Sequence, residues 1–449
     1  MYNHLDTNTT IIAPATAAGG AVMVVRLSGN RAIEIADSIF RGKKPLRDCE
    51  GYTLHYGRIV DDNLRVIDDA VVALFRAPHS YTGDDTVEIT LHGSEYITSE
   101  VLRLAINHGA TMAMPGEFTR RAFLAGKMDL SRAEAVADII AADSMWSHNV
   151  ASTQMRGGYS ERLAMLRNEL LRLCSLLELE LDFSEEDVEF ADRTTLRRTL
   201  TDIGSQIEEL TSSFALGKAL KDGVNVAIVG KPNVGKSTLL NALVEEDRAM
   251  VSDIAGTTRD TIEATTVING VRYRFVDTAG IHSTADTLEQ MGIDRTHRAI
   301  ANASIVIHLT TAENPSFDAV EHSDSQYHIC VVNKIDAMPA PLTLAPDTLC
   351  ISAKSGIGIE ALRERLASTI DTSKLGTGSV VVSNMRHYAA LREAHTALTA
   401  ALTAMDNGLP SDLLSEDIRR VVHHLGEITG EITSDDILHS IFSHFCIGK

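Results

Sequence analysis

A chain of 449 residues is too long to fold round one core, and with 44% hydrophobic and 23% charged residues it has the composition of a folded protein of several domains. Asp and Glu number 61 against 41 Lys and Arg, a formal charge of −20. That argues against a stand-alone binder of phosphate backbones, so a nucleic-acid substrate would need a local basic patch or a basic partner. No apolar run reaches the roughly 18 residues a membrane span needs, and MYNHLDTNTT has neither signal- nor transit-peptide character. Five cysteines stand apart without a C-x-x-C pair, so reduced thiols and a cytoplasmic location are expected.

Residues 1–127 mix β-like runs with Gly/Pro turns. Residues 21–27 (AVMVVRL), 69–75 (DAVVALF) and 86–91 (TVEITL) read as strands, with a loop at 76–85. Residues 94–107 and 115–124 read as helices, giving an α+β domain. From 128 to 222 the period turns helical: Ser131 and Glu134 have capping-box spacing, and Leu163, Leu166, Leu170, Leu173 and Leu177 form a packing seam. The acidic run 182–189 (DFSEEDVE) reads as a solvated connection, and 196–214 resumes helix. Residues 223–376 alternate apolar strands with helices, a βα series that makes a mostly parallel sheet. After a Gly/Ser/Thr-rich link, residues 377–449 return to helix, so the α/β domain is expected to be inserted into a discontinuous helical domain.

The chemistry centres on residues 224–237 (VNVAIVGKPNVGKS). A short apolar strand runs into Gly230-Lys231-Pro232-Asn233-Val234-Gly235-Lys236-Ser237, a G-x-x-x-x-G-K-S phosphate loop. Glycines let the backbone amides close on an anion, and Leu239, Leu240 and Leu243 mark a helix whose positive N-terminus faces it. Lys236 is expected to reach the β- and γ-phosphates and Ser237 to ligate Mg²⁺. Nucleotide contacts are expected from Asn233 through Val234, Gly235, Lys236 and Ser237 to Thr238. Asp277-Thr278-Ala279-Gly280 closes a later strand, with Asp277 on the Mg²⁺ shell and Gly280 at the γ-phosphate. Asn333-Lys334-Ile335-Asp336 follows another strand; a buried Asp336 carboxylate would accept two guanine N–H donors, a pair adenine lacks, at a discrimination of about 10⁴. Ser352, Ala353 and Lys354 would back the base through main-chain amides. In order, these elements specify GTP. Between them, Ser252-Asp253-Ile254-Ala255-Gly256-Thr257-Thr258 supplies Thr258 as second Mg²⁺ ligand when a switch closes. Ile281 stands where a Ras-like enzyme has its water-orienting Gln, so hydrolysis needs another group and another positive charge.

NVGKS, SDIAGTTRD, DTAG and NKID resemble the TrmE/Era/EngA-type GTPases. HSYTGDDTVE, PGEFTRRAFLAGKMDLSRAEAVADII and the terminal Cys446-Ile447-Gly448-Lys449 extend the resemblance over the whole chain, to the MnmE (TrmE) family of tRNA-modification GTPases. The resemblance implies a tetrahydrofolate-binding and dimerisation domain (1–127), a helical domain in two parts (128–222 and 377–449) and an inserted Ras-like G domain (223–376). It implies K⁺ held by Asn233 with Ser252, Ile254 and Thr257, G domains that meet across it, and Glu289 as the water-orienting residue. It implies folate contacts at Arg26, Glu88, Lys127 and Lys449, and Cys446 beside a one-carbon unit of methylene- or formyl-tetrahydrofolate. It implies a homodimer that works with the FAD protein MnmG (GidA) on the C5 of the tRNA wobble uridine.

Alternatives stay open for several of these residues. Glu289 also fits a solvated helix position, and Cys446 fits a buried thiol, although Lys449 disfavours a prenylation box. Residues 17–20 (AAGG) replace the family's usual P-P-G-R-G-G turn, and His282-Ser283 replace an Arg and an acidic residue. Two rival functions are an Era-like RNA-binding switch for ribosome assembly, which wants a basic module with a G-x-x-G clamp, and a folate enzyme whose G domain only regulates. An acidic helical tail follows the G domain instead of such a module.

Overall fold

Alternating burial along β2 (Val22–Ser28) and β6 (Thr86–His92) pins the first sheet. Met23, Val25, Leu27, Val87, Ile89 and Leu91 enter one core with α1 (Ala32–Ile39) and α2 (Glu95–Asn107). Seven strands run in the order β3 (Phe40–Gly42), β4 (Thr53–Val60), β5 (Val66–Phe75), β6, β2, β1 (Ile11–Pro14), β7 (Thr111–Met112). All neighbours are antiparallel except the parallel β1–β7 pair. The computed structural model describes the chain except residues 1–8, 18, 183–191, 245–262, 278–298, 314, 316, 318–325, 338–344, 373–374 and 376–378. It forms two compact units: Met1–Ala137, Met155–Ala191 and Leu409–Lys449 make one, Asp138–Gln154 and Asp192–Gly408 the other.

In the first unit α3 (Glu117–Leu124) packs with the C-terminal helix α13 (Asp435–Phe442). The leucine seam read from the sequence is buried: Leu163, Leu166, Leu170, Leu173 and Leu177 lie on α6 (Gly158–Asp182), which packs along α12 (Ser411–Thr429). The capping-box reading at Ser131 is corrected. Helix α4 (Leu130–Ala141) already contains Ser131 and Glu134, both buried, and Asp129 Oδ1 accepts from the Arg132 amide at 2.9 Å. An aspartate at the cap position meets an orphan amide directly, so it displaces the serine two residues further on. The acidic run falls, from residue 183, outside the described residues.

The second unit holds a six-stranded sheet in the order β13 (Leu349–Cys350), β12 (Tyr327–Asn333), β11 (Ile305–Thr311), β8 (Val224–Val229), β10 (Val271–Asp277), β9 (Glu263–Ile268). It is parallel except for the β9–β10 hairpin at its edge. β11 is buried along nearly its whole length, as a central parallel strand must be. Beside the sheet, α7 (Arg193–Ser212) pairs with α11 (Met385–Asp406), burying Leu196, Leu200, Ile203 and Ile207 on the first and Leu391, Ala394, Leu398 and Ala401 on the second. Helices from the two flanks of this sheet thus pair with each other, α6 with α12 and α7 with α11, and the helical part is discontinuous in sequence. Among the described residues no helix is long and apolar enough to cross a membrane.

Candidate functional site: a phosphate loop and a polar cluster on the first sheet

The phosphate loop leaves the end of β8 and enters α9 (Lys236–Val244), so the helix N-terminus and its unpaired amides face the loop. Gly230 at φ +153° and Gly235 at φ +101° take conformations that L side chains rarely adopt, and a Cβ on Gly235 would run into the Asn333 amide. Asn233 is also left-handed, at φ 63°. Lys236 starts the helix and its Nζ donates to the carbonyls of Gly230 at 2.7 Å and Lys231 at 3.1 Å, folding the ammonium over the loop. Ser237 and Thr238 follow in the first turn of α9. An ammonium, helix-end amides and a serine hydroxyl grouped on one turn suit a magnesium-loaded phosphate chain.

Asn333 joins this loop to the base corner. Its Nδ2 donates to the Val234 carbonyl at 2.8 Å, and its Oδ1 accepts from the Ala353 amide at 2.9 Å. Lys334, at φ 64°, lays its Nζ on the Asn233 carbonyl at 2.7 Å. Asp336 is exposed rather than buried, because it sits on a single 3₁₀ turn (Ile335–Ala337) beyond the strand end. A hydrogen bond to Ser352 holds its carboxyl below the usual carboxylate range, with Lys354 and Lys334 adding to the effect. Of the main-chain amides expected to back the base, that of Ala353 serves Asn333 and that of Ser352 bonds the Ile357 carbonyl. Asp277 ends β10 beside Ile228 of β8, which brings that strand end next to the loop. Ser252, Asp253, Ile254, Ala255, Gly256, Thr257, Thr258, Thr278, Ala279, Gly280 and Glu289 lie outside the described residues.

On the first sheet, Arg26 of β2 and Glu88 of β6 are cross-strand partners. Arg26 Nε and Nη2 both lie 2.8 Å from Glu88 Oε1. The guanidinium also sits over the rings of Tyr81 and Phe118, 5.5 and 5.6 Å from their centroids, and its Nη1 donates to the Gly448 carbonyl at 3.2 Å. Gly448, at φ +95°, lies so close to Pro14 that a Cβ would run into that carbonyl. Tyr81 bonds Thr119 at 2.9 Å, and burial pushes its phenol up. Lys127 Nζ donates to the Pro78 carbonyl, and the Lys449 amide to the Cys446 carbonyl at 3.3 Å. Cys446 is exposed, so the buried-thiol alternative does not apply. Arg26, Glu88 and the C-terminal tail therefore meet. Sequence reasoning missed Tyr81 and Phe118 as ring partners of Arg26; the one signal was an aromatic residue inside the Pro- and Gly-bounded loop at 76–85.

A phosphate loop on a parallel sheet, tied through an asparagine to an N-K-x-D corner, defines the class: a P-loop GTPase. Comparison with known proteins narrows it. Residues 10–127 match the family model for the GTP-binding protein TrmE N-terminus, and residues 130–446 match that for the MnmE helical domain. The chain is 47% identical to the tRNA modification GTPase MnmE of Cytophaga hutchinsonii, over 100% of this chain and 99% of that one. It is 46% identical to those of Bacteroides fragilis and Flavobacterium johnsoniae, in each case over 98% of this chain and 99% of the other. The chain belongs to the MnmE family of tRNA modification GTPases.

Proposed function

We propose that this protein hydrolyses GTP in the modification of tRNA and, with the FAD-dependent partner MnmG, adds an aminomethyl or carboxymethylaminomethyl group at C5 of the wobble uridine. The observation that carries this reading is the coexistence, in a chain alike over its full length to tRNA modification GTPases, of a phosphate loop and a second polar site on a separate sheet.

At the loop, Lys236 exchanges its two carbonyl acceptors for phosphate oxygens, Ser237 and Thr258 hold Mg²⁺, and Asp336 reads guanine. Bound Mg²⁺ and K⁺ would supply positive charge where negative charge builds up on the phosphates. Asn233 with Ser252, Ile254 and Thr257 would hold the K⁺, and Glu289 orients water that Ile281 cannot. Asn233 suits this role because its left-handed backbone turns its carbonyl to Lys334 and leaves the amide side chain exposed at the loop.

At the second site, Arg26, Glu88, Lys127 and Lys449 bind a tetrahydrofolate, which supplies a one-carbon unit near Cys446. The donor set suits it: cations for a glutamate tail, a carboxylate for ring N–H groups and two aromatic faces. Leu54, Tyr56 and Val71, on the same face as Arg26 and Glu88 and away from the core, leave part of this sheet apolar and exposed, which supports a homodimer. With no membrane-crossing helix among the described residues, we place the protein in the cytoplasm beside its tRNA.

The test compares GTP turnover in potassium and sodium buffers while molecular mass is followed, then assays tRNA modification with MnmG and a folate donor. Potassium-dependent turnover with dimerisation, and modification that requires all components, are expected. Equal turnover in both salts by a monomer overturns the potassium reading. Modification without the folate overturns the folate reading.

A further inference from the structure

A chain with a charge of −20 that acts on tRNA must concentrate cations somewhere, and residues 41–47 (RGKKPLR) carry four with no carboxylate among them. In the structure this corner, together with Arg76, lines a cleft of about 700 Å³ between the end of α1 and the loop at 76–85. We infer that the cleft is a contact site for the phosphodiester backbone of the tRNA. This rests on the reading above.

The corner is braced from within. Leu46 is fully buried, and Arg41 Nη1 donates to the carbonyls of Asp37, Ser38 and Phe40 at 3.0, 3.1 and 2.8 Å. Arg76 reaches across to the carbonyls of Cys49 and Arg47, its Nη2 at 2.8 Å from each. The backbone between these two arginines is therefore held, and Lys43 and Lys44 project from it, exposed and with no partner among the described residues.

The cleft's carboxylates are each engaged already. Glu34 pairs with Arg31 at 2.7 Å, Asp37 accepts from the Leu46 amide at 2.6 Å, and Asp85 accepts from the Ala77 amide at 2.9 Å. Five cations (Arg41, Lys43, Lys44, Arg47 and Arg76) line the cleft against these three carboxylates, of which Asp37 also lies 3.5 Å from Arg47, so its lining is net positive although the molecule is strongly acidic. Two mobile ammonium groups on a fixed loop, at the rim of an open cleft, suit a repeating backbone better than a small anion, which convergent buried donors would enclose. The loop at 76–85 links this cleft to the polar cluster: its ends Arg76 and Asp85 line the cleft, and Tyr81 between them lies under Arg26. A tRNA gripped here is held beside the site proposed to carry the one-carbon unit.

The test measures binding of full-length protein to labelled tRNA across a range of salt. Lys43→Ala/Lys44→Ala removes two phosphate contacts, so the slope of log K against log salt falls by about 1.4–1.8 and low-salt affinity drops several-fold. Lys43→Arg/Lys44→Arg keeps the wild-type slope. Arg198→Ala/Lys218→Ala, the same charge change on exposed helix positions of the other unit, also keeps it. An unchanged slope for the alanine pair, or an equal loss for the control pair, overturns the inference. So does wild-type protein that does not bind tRNA. The functional reading fails on different evidence, namely wild-type protein that neither turns over GTP nor supports modification.

Discussion

Asn333 holds the Val234 carbonyl at 2.8 Å with one end of its side chain and the Ala353 amide at 2.9 Å with the other. One fully buried amide thus fixes the distance between the phosphate loop and the base corner. Asn333→Ala leaves a buried donor and a buried acceptor unpaired, at about 1–3 kcal/mol each. The expected outcome is a lower unfolding midpoint and a GDP affinity reduced tenfold or more, a factor that corresponds to about 1.4 kcal/mol. Equilibrium denaturation and nucleotide titration check both.

Glu289 and Cys446, proposed to serve GTP hydrolysis and tRNA modification respectively, allow the two chemistries to be tested apart. Glu289→Ala is expected to bind GTP normally and to lose turnover by two orders of magnitude or more, the scale of a lost general base or water-orienting group. Loss of binding as well would remove Glu289 from that role. Cys446→Ser is expected to hydrolyse GTP at the normal rate and to fail in reconstituted tRNA modification; unchanged modification removes the thiol from the chemistry.

Arg26 makes two bonds to Glu88, one to Gly448 and two ring contacts. Arg26→Lys keeps the charge but loses the planar fork and the stacking. Tetrahydrofolate affinity measured by calorimetry is expected to fall at least tenfold, with GTP binding unaffected. Wild-type folate affinity in the variant would count against the assignment.

His92 supplies a pH dependence. Its Nδ1 lies 2.7 Å from Asp68 Oδ1, and its amide donates to Asp68 Oδ2 at 2.9 Å. The hydrogen bond and charge of Asp68 raise the imidazole's pKa, with Asp69 adding to them. A raised folded value means the stabilisation is complete below the unfolded value, about 6.5, and is lost as pH rises through the folded one. The urea midpoint of wild type should therefore decline through that window, and the decline should flatten in His92→Gln.

The nucleotide site was legible in the sequence because its chemistry is local: glycines, a lysine and a serine in one turn, then short motifs at strand ends. Its internal wiring was not. Asn333 reads as a base contact, yet here its bonds run to Val234 and Ala353, and Asp336 lies exposed on a 3₁₀ turn. Strand β4 escaped notice because Leu54 and Tyr56, which sequence patterning would place in a core, point outward, and Gly57 interrupts the run. Helix α4 was legible, but its cap is Asp129 and not Ser131, since several nearby residues could play that part. Long-range closures such as Arg26 with Gly448 have no local signature at all.

The bond from Arg26 to the Gly448 carbonyl spans 422 positions. At about 5–20 residues per second of synthesis, roughly 20–80 s separate the appearance of the two partners on the ribosome. The strands that carry Arg26 and Glu88 can pair during that interval, but the Arg26 guanidinium lacks its Gly448 acceptor until the far segment arrives. Nonsense products that stop short of residue 448 therefore lack the carbonyl that Arg26 binds, and they are expected to fail at this site even where the nucleotide site is intact.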